Sequence, residues 1–162
     1  MTGAVAGGGA MREEGRAVIT VERVIRVGRP RAEVVGYLED FSRTEEWDPG
    51  TLRCVRLDDG LVRPGARWLN TSRFRGRTTE LRYELVVRES DRLVFVGENR
   101  TVTALDDLRF TEQGSSTVLT YRASLRFKGL ARLAAPFLRG EFEQLGDGVV
   151  TRLPAAVEAW RP

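Results

Sequence analysis

The chain has 162 residues, 41% of them hydrophobic and 30% charged, a balance that suits one water-soluble domain with its own core. There is no histidine and a single cysteine, Cys54, which excludes an internal disulfide, the Ser-His and Cys-His nucleophile systems and an ordinary zinc site. The net charge is only +3, and Lys128 is the sole lysine among 26 basic residues, so no nucleic-acid partner is expected; with no histidine to ligate, no metal is expected either, and no cofactor.

Residues 1–16 begin MTGAVAGGGA, glycine-rich and without apolar periodicity, and are expected to be a disordered tail before a single domain over 17–162. The segment lacks the charged-then-apolar pattern of a secretory signal. No apolar run in the chain reaches the roughly 18 residues of a membrane span. A cytoplasmic location is the resulting expectation.

From Val18 to Val27 apolar and polar residues alternate and β-branched types dominate, which predicts the first strand. Pro30 then suits the start of a short helix through about Asp40, with Ala32, Val35 and Leu38 on one face. A second short helix over Phe41–Trp47 is stopped by Asp48-Pro49-Gly50. Six strands follow, at roughly 51–57, 66–75, 78–89, 92–99, 101–112 and 115–127, joined by links short enough for hairpins. After Lys128-Gly129 the period changes from 2 to 3.6. A long helix is predicted over about 136–160, with Pro136 in its first turn and Pro154, Gly146 and Gly148 inside it. The two glycines predict a break in that helix, a close approach to the sheet, or room for a ligand.

One strand, two short helices, six strands and a long helix make an α+β helix-grip fold: a curved six- to seven-stranded antiparallel sheet around a C-terminal helix. The stretches VERVIRVGRPRAEVVGYLEDFSRTEEWDPG (21–50), FRGRTTELRYEL (74–85), ALDDLRF (104–110) and TYRASLRFKGLARLAAPFL (120–138) resemble the START-like superfamily. That group includes the birch pollen allergen fold and the bacterial polyketide cyclase/dehydrase and lipid-transport (SRPBCC) proteins. The resemblance covers about residues 18–160 and carries no catalytic signature. It implies an internal cavity for an apolar ligand such as a lipid, polyketide, sterol or hormone. Some relatives are enzymes and many only bind.

Strand parity places particular side chains toward that cavity. Arg23, Asn70, Ser72, Tyr83, Asp106 and Tyr121 share the inward face with Leu81 and Leu108. Trp47 from the second short helix, Trp68, Phe95, and Leu145 and Val149 from the long helix complete the expected ligand-binding set. Polar groups inside an apolar wall either pair with one another, as Arg23 and Asp106 could, or serve a ligand.

Three functions are compatible with this pattern. The first is a binding protein without chemistry. The second is a polyketide cyclase or aromatase, with Asp106 exchanging a proton and Tyr83 or Tyr121 stabilising an oxyanion. The third is a protein-interaction module. Arg63, Arg67, Arg73, Arg75 and Arg77 form an acid-free strip that could dock an acidic protein partner, for example an acyl carrier protein.

Overall fold

The computed structural model describes residues 17–162, so the expected N-terminal tail lies outside the described residues. Seven strands form one antiparallel sheet: β1 (Val18–Val27), β2 (Thr51–Arg56), β3 (Arg67–Phe74), β4 (Arg77–Arg88), β5 (Arg92–Glu98), β6 (Val102–Gln113) and β7 (Ser116–Phe127). Their order across the sheet is β1-β7-β6-β5-β4-β3-β2, so β1 and β2 are its edges. Helices α1 (Arg31–Leu38) and α2 (Thr44–Trp47) flank a 3-10 turn at Phe41–Arg43. A second 3-10 turn at Gly129–Leu133 leads into the long helix α3 (Ala135–Ala159).

Hairpin chemistry explains the meander. β3 and β4 pair up to Phe74 opposite Arg77, leaving only Arg75 and Gly76 as the loop. Both have positive φ, 49° and 71°, as a tight turn matching the sheet's right-handed twist requires. Register shifts between Thr51 and Arg53 and between Leu85 and Val87 mark bulges, which bend strands and help the sheet curve.

The inner face of the sheet closes on α3. Ile25, Val27, Leu119, Val149, Leu153 and Val157 are buried in one cluster with α1, Phe41 and Trp47. Helix α3 runs unbroken through both glycines and Pro154. Gly146 lies where α3 crosses β1: a Cβ there would stand 2.7 Å from Val21 Cγ1. Gly148 abuts the turn before β2, where a Cβ would stand 2.7 Å from Pro49 Cγ. Close approach, rather than a helix break, accounts for both.

Candidate functional site: an internal cavity

Between the curved sheet and α3 lies a cavity of about 640 Å³, inside the usual size range of small-molecule sites. Its inner end is walled by Phe41, Thr44, Trp47, Asp48, Tyr83, Asp106, Tyr121 and Val149. Its middle is walled by Val21, Asn70, Ser72, Leu81, Ala104, Ala123 and Leu145. Phe74 of β3 and Phe142 of α3 stack at 4.6 Å with a 12° angle toward the open end. There the exposed Arg73, Arg75 and Arg77 of the β3–β4 hairpin form part of the rim.

The inner end holds a buried acid among phenols. The hydroxyl of Tyr121 donates to Asp106 Oδ1 at 2.7 Å, from one strand to its neighbour. Burial is the main reason the Asp106 carboxyl is pushed up to about 6, and the nearby charge of Asp48 adds to it. Hydrogen bonding to Tyr121, and more weakly to Tyr83, works the other way. Both phenols are pushed well above their ordinary range, first by burial and then by the charge of Asp106. The ring of Tyr83 packs 4.3 Å from Phe41 and lies across Gly97 of β5. A Cβ at Gly97 would come within 2.5–2.7 Å of three of its ring atoms, so that glycine makes the room Tyr83 occupies.

A polar chain lines one wall. Ser72 Oγ donates to Asn70 Oδ1 at 2.5 Å, and Asn70 Nδ2 donates to Thr51 Oγ1 at 3.0 Å. Thr51 Oγ1 in turn donates to Asp48 Oδ2 at 2.6 Å, while Asp48 Oδ1 accepts the Gly50 amide at 2.9 Å. Burial raises the Asp48 carboxyl above its usual range, opposed by the Thr51 and Gly50 hydrogen bonds and by Arg152. Among the described residues no buried side-chain nitrogen or oxygen lacks a partner.

Nine of the thirteen residues expected at the cavity from sequence line it: Trp47, Asn70, Ser72, Leu81, Tyr83, Asp106, Tyr121, Leu145 and Val149. Four do not. Arg23 turns to α3, where Nη2 meets Glu143 Oε2 at 2.6 Å and Nε meets Asp147 Oδ1 at 3.0 Å; the expected Arg23–Asp106 pair is absent. The bare backbone of Gly146 lies between those two acids, and a Cβ there would stand 3.4 Å from the guanidinium carbon. Trp68 is fully buried, donates Nε1–H to Asp40 at 3.2 Å and packs on Phe41 and Phe95. Phe95 and Leu108 belong to the same solid core. All three have inward parity, and Phe41 packs over Trp68 and Phe95.

The arginine strip is also divided. Arg67 begins β3 beside Asp58, at 3.7 Å, while Arg73 stands six residues further along, about 20 Å at strand rise. Arg63 lies beyond Arg67, in the link between β2 and β3. Arg75 pairs with Glu141 of α3, so the strip lacks acids in sequence but not in space.

Asp48 is the ionisable residue at the inner end that the sequence pattern does not single out; Val21, Phe41, Thr44, Ala104, Ala123 and Phe142 also line the cavity outside the expected set. The Asp48-Pro49-Gly50 signal is a turn signal first, and the Asp48 carboxylate does cap that turn. Only the fold puts it on the same cavity as Asp106, close enough for its charge to raise that carboxyl.

Residues 18–158 match the family model described as polyketide cyclase/dehydrase and lipid transport. The chain belongs to this family. No protein of curated function matches it in sequence. Among solved structures it is similar to the di-domain ARO/CYC StfQ from the steffimycin biosynthetic pathway, at 18% identity and TM-score 0.69. That match covers 91% of this chain and 53% of the other, so this family member spans about half the length of the di-domain protein. The Zhui aromatase/cyclase from Streptomyces sp. R1128 matches at 14% identity and TM-score 0.73, over 87% and 94% of the two chains. A START superfamily protein from Mycobacterium smegmatis matches at 14% and 0.71, over 86% and 97%. At these identities the likeness is one of fold, the helix-grip arrangement. Among the described residues no helix is long and apolar enough to cross a membrane.

Proposed function

We propose that this family member binds a small, largely apolar molecule in the cavity, with a hydrogen-bond-donating end against Asp106 and Asp48. The observation that carries this reading is the cavity of about 640 Å³ whose apolar walls end on a buried carboxyl held by Tyr121. Two acids line that end and no guanidinium lines it, Arg152 acting on Asp48 from outside the cavity, which suits the end to donors rather than to anions.

Native mass spectrometry of freshly purified protein, with saturation binding of an apolar fluorophore such as ANS, tests the reading. A bound small-molecule mass, or saturable ANS binding abolished by filling the cavity with Ala123→Trp, is expected. Apoprotein mass together with ANS binding unchanged by Ala123→Trp would overturn it.

A second reading is favoured by the titration of Asp106. A carboxyl near 6 beside two phenols can take a proton from an activated carbon, while a phenol hydrogen-bonds the enolate oxygen that develops. That is the chemistry a cyclase or aromatase needs, with the cavity holding the chain folded and dry. A pH–rate profile with an ionisation near 6 that disappears in Asp106→Asn is its expected signature.

A further inference from the structure

The open end of the cavity carries a feature that ligand binding inside does not use. Residues 126–139 read RFKGLARLAAPFLR, without an acid. Here the 3-10 turn and the first turn of α3 turn Ala131, Ala134 and Leu138 toward the cavity. Leu130, Leu133 and Phe137, spaced i, i+3, i+7, are 86%, 73% and 74% exposed. Three large apolar side chains held this far into water on one short segment are a mark of an interaction surface.

The surroundings are cationic. Arg132 and Arg139 are exposed on the same segment, and Arg73, Arg75 and Arg77 contribute to the same rim from the β3–β4 hairpin. Of the nearby acids, Glu141 is taken by Arg75, and Glu98 lies 3.5 Å from Lys128.

We propose that this rim docks on an anionic lipid bilayer. Leu130, Leu133 and Phe137 enter the boundary between headgroups and acyl chains, and Arg73, Arg77, Arg132 and Arg139 meet the lipid phosphates. A bilayer fits better than an acidic protein because the apolar residues stand out on the turn instead of lining a groove, and a bilayer accepts them without a matching pocket. Their neighbours Ala131, Ala134 and Leu138 line the open end of the cavity, which docking would set against hydrocarbon. The inference does not depend on what the cavity holds.

Flotation of the full chain with vesicles of phosphatidylcholine alone, or with a minor share of phosphatidylglycerol, tests it without any cavity ligand. Binding to the anionic vesicles is expected, weakened at least about tenfold by high salt as exposed charges are screened. It should be lost in Leu130→Ser/Leu133→Ser/Phe137→Ser with unchanged thermal unfolding, since all three side chains are exposed. Phe137→Trp should add a fluorescence component that shifts to the blue on the same vesicles. Failure of the unmodified protein to float, or flotation that survives the triple substitution, overturns the proposal. So does tight association with an acidic carrier protein and none with vesicles.

Discussion

Tyr121 donates its hydroxyl hydrogen to Asp106 across 2.7 Å, from β7 to β6, with both side chains buried. The carboxyl titrates near 6, above the ordinary 3.8, because burial disfavours its charged form. A carboxyl raised in the folded state favours folding fully below about pH 4, and that contribution is lost as pH rises through about 6. A difference of about two units corresponds to roughly 3 kcal/mol. Asp106→Asn is neutral at every pH and keeps an oxygen for Tyr121. Denaturant unfolding from pH 4 to 8 should therefore show the variant gaining on the unmodified protein as pH rises, by up to about 2–3 kcal/mol. Ligand affinity should fall in the same variant. Parallel stability curves would remove the buried ionisation.

Gly97→Ala should disturb the site through Tyr83. The added methyl would meet three ring atoms of Tyr83 at 2.5–2.7 Å, closer than real contacts allow. Overpacking of this kind costs about 1–3 kcal/mol, and the displaced phenol would no longer face Asp106. Combining Gly97→Ala with Tyr83→Ala should recover part of the stability, because the clash then has no partner. Simple additivity of the two losses in thermal unfolding would show that the ring was not the obstacle.

Much of this site can be read from the sequence because an antiparallel strand with one buried face repeats every two residues. That period alone puts Asp106 and Tyr121 on the inward face, and they are buried. Parity names a face, not a depth. Trp68, Phe95 and Leu108 face inward as expected, but they lie in solid core, with Phe41 of the 3-10 turn packed on the two aromatic rings. The docking of a turn from elsewhere in the chain leaves no period in a strand. Arg23 leaves the cavity for a related reason: its partners, Glu143 and Asp147, are more than a hundred residues away on a helix whose rotation the strand pattern does not fix. Asp48 was hidden because a turn aspartate already has a local use.

Arg23 should prove a modest anchor of α3 and no part of the cavity. Its side chain is 20% exposed, and those of Glu143 and Asp147 are 41% and 71% exposed, so solvent screens both pairs. Arg23→Met is expected to cost about 1 kcal/mol, less at high salt, with ligand affinity unchanged. Chemical unfolding at two salt concentrations, beside a binding titration, measures both. A loss of affinity matching that of Asp106→Asn would return Arg23 to the site.

Two glycines of α3 should respond in opposite directions to the same substitution. In a helix interior, alanine is favoured over glycine by about 1 kcal/mol. At Gly140 a Cβ would meet nothing within 4 Å, so Gly140→Ala should collect that gain and raise the melting temperature by several degrees. At Gly146 the same atom would stand 2.7 Å from Val21 Cγ1 and 3.4 Å from the Arg23 guanidinium carbon. Val21 is buried on an edge strand that pairs only with β7 and packs on α3, so it has little room to yield without moving the strand. Overpacking of about 1–3 kcal/mol then exceeds the propensity gain, and Gly146→Ala should be destabilising despite improving the helix. Val21 also lines the cavity, so a shift of β1 away from α3 should alter ligand affinity in Gly146→Ala and leave it unchanged in Gly140→Ala. Calorimetry of the pair decides the matter: if both variants gain stability, α3 does not press on β1 at Gly146, and the cavity wall there is softer than its geometry implies.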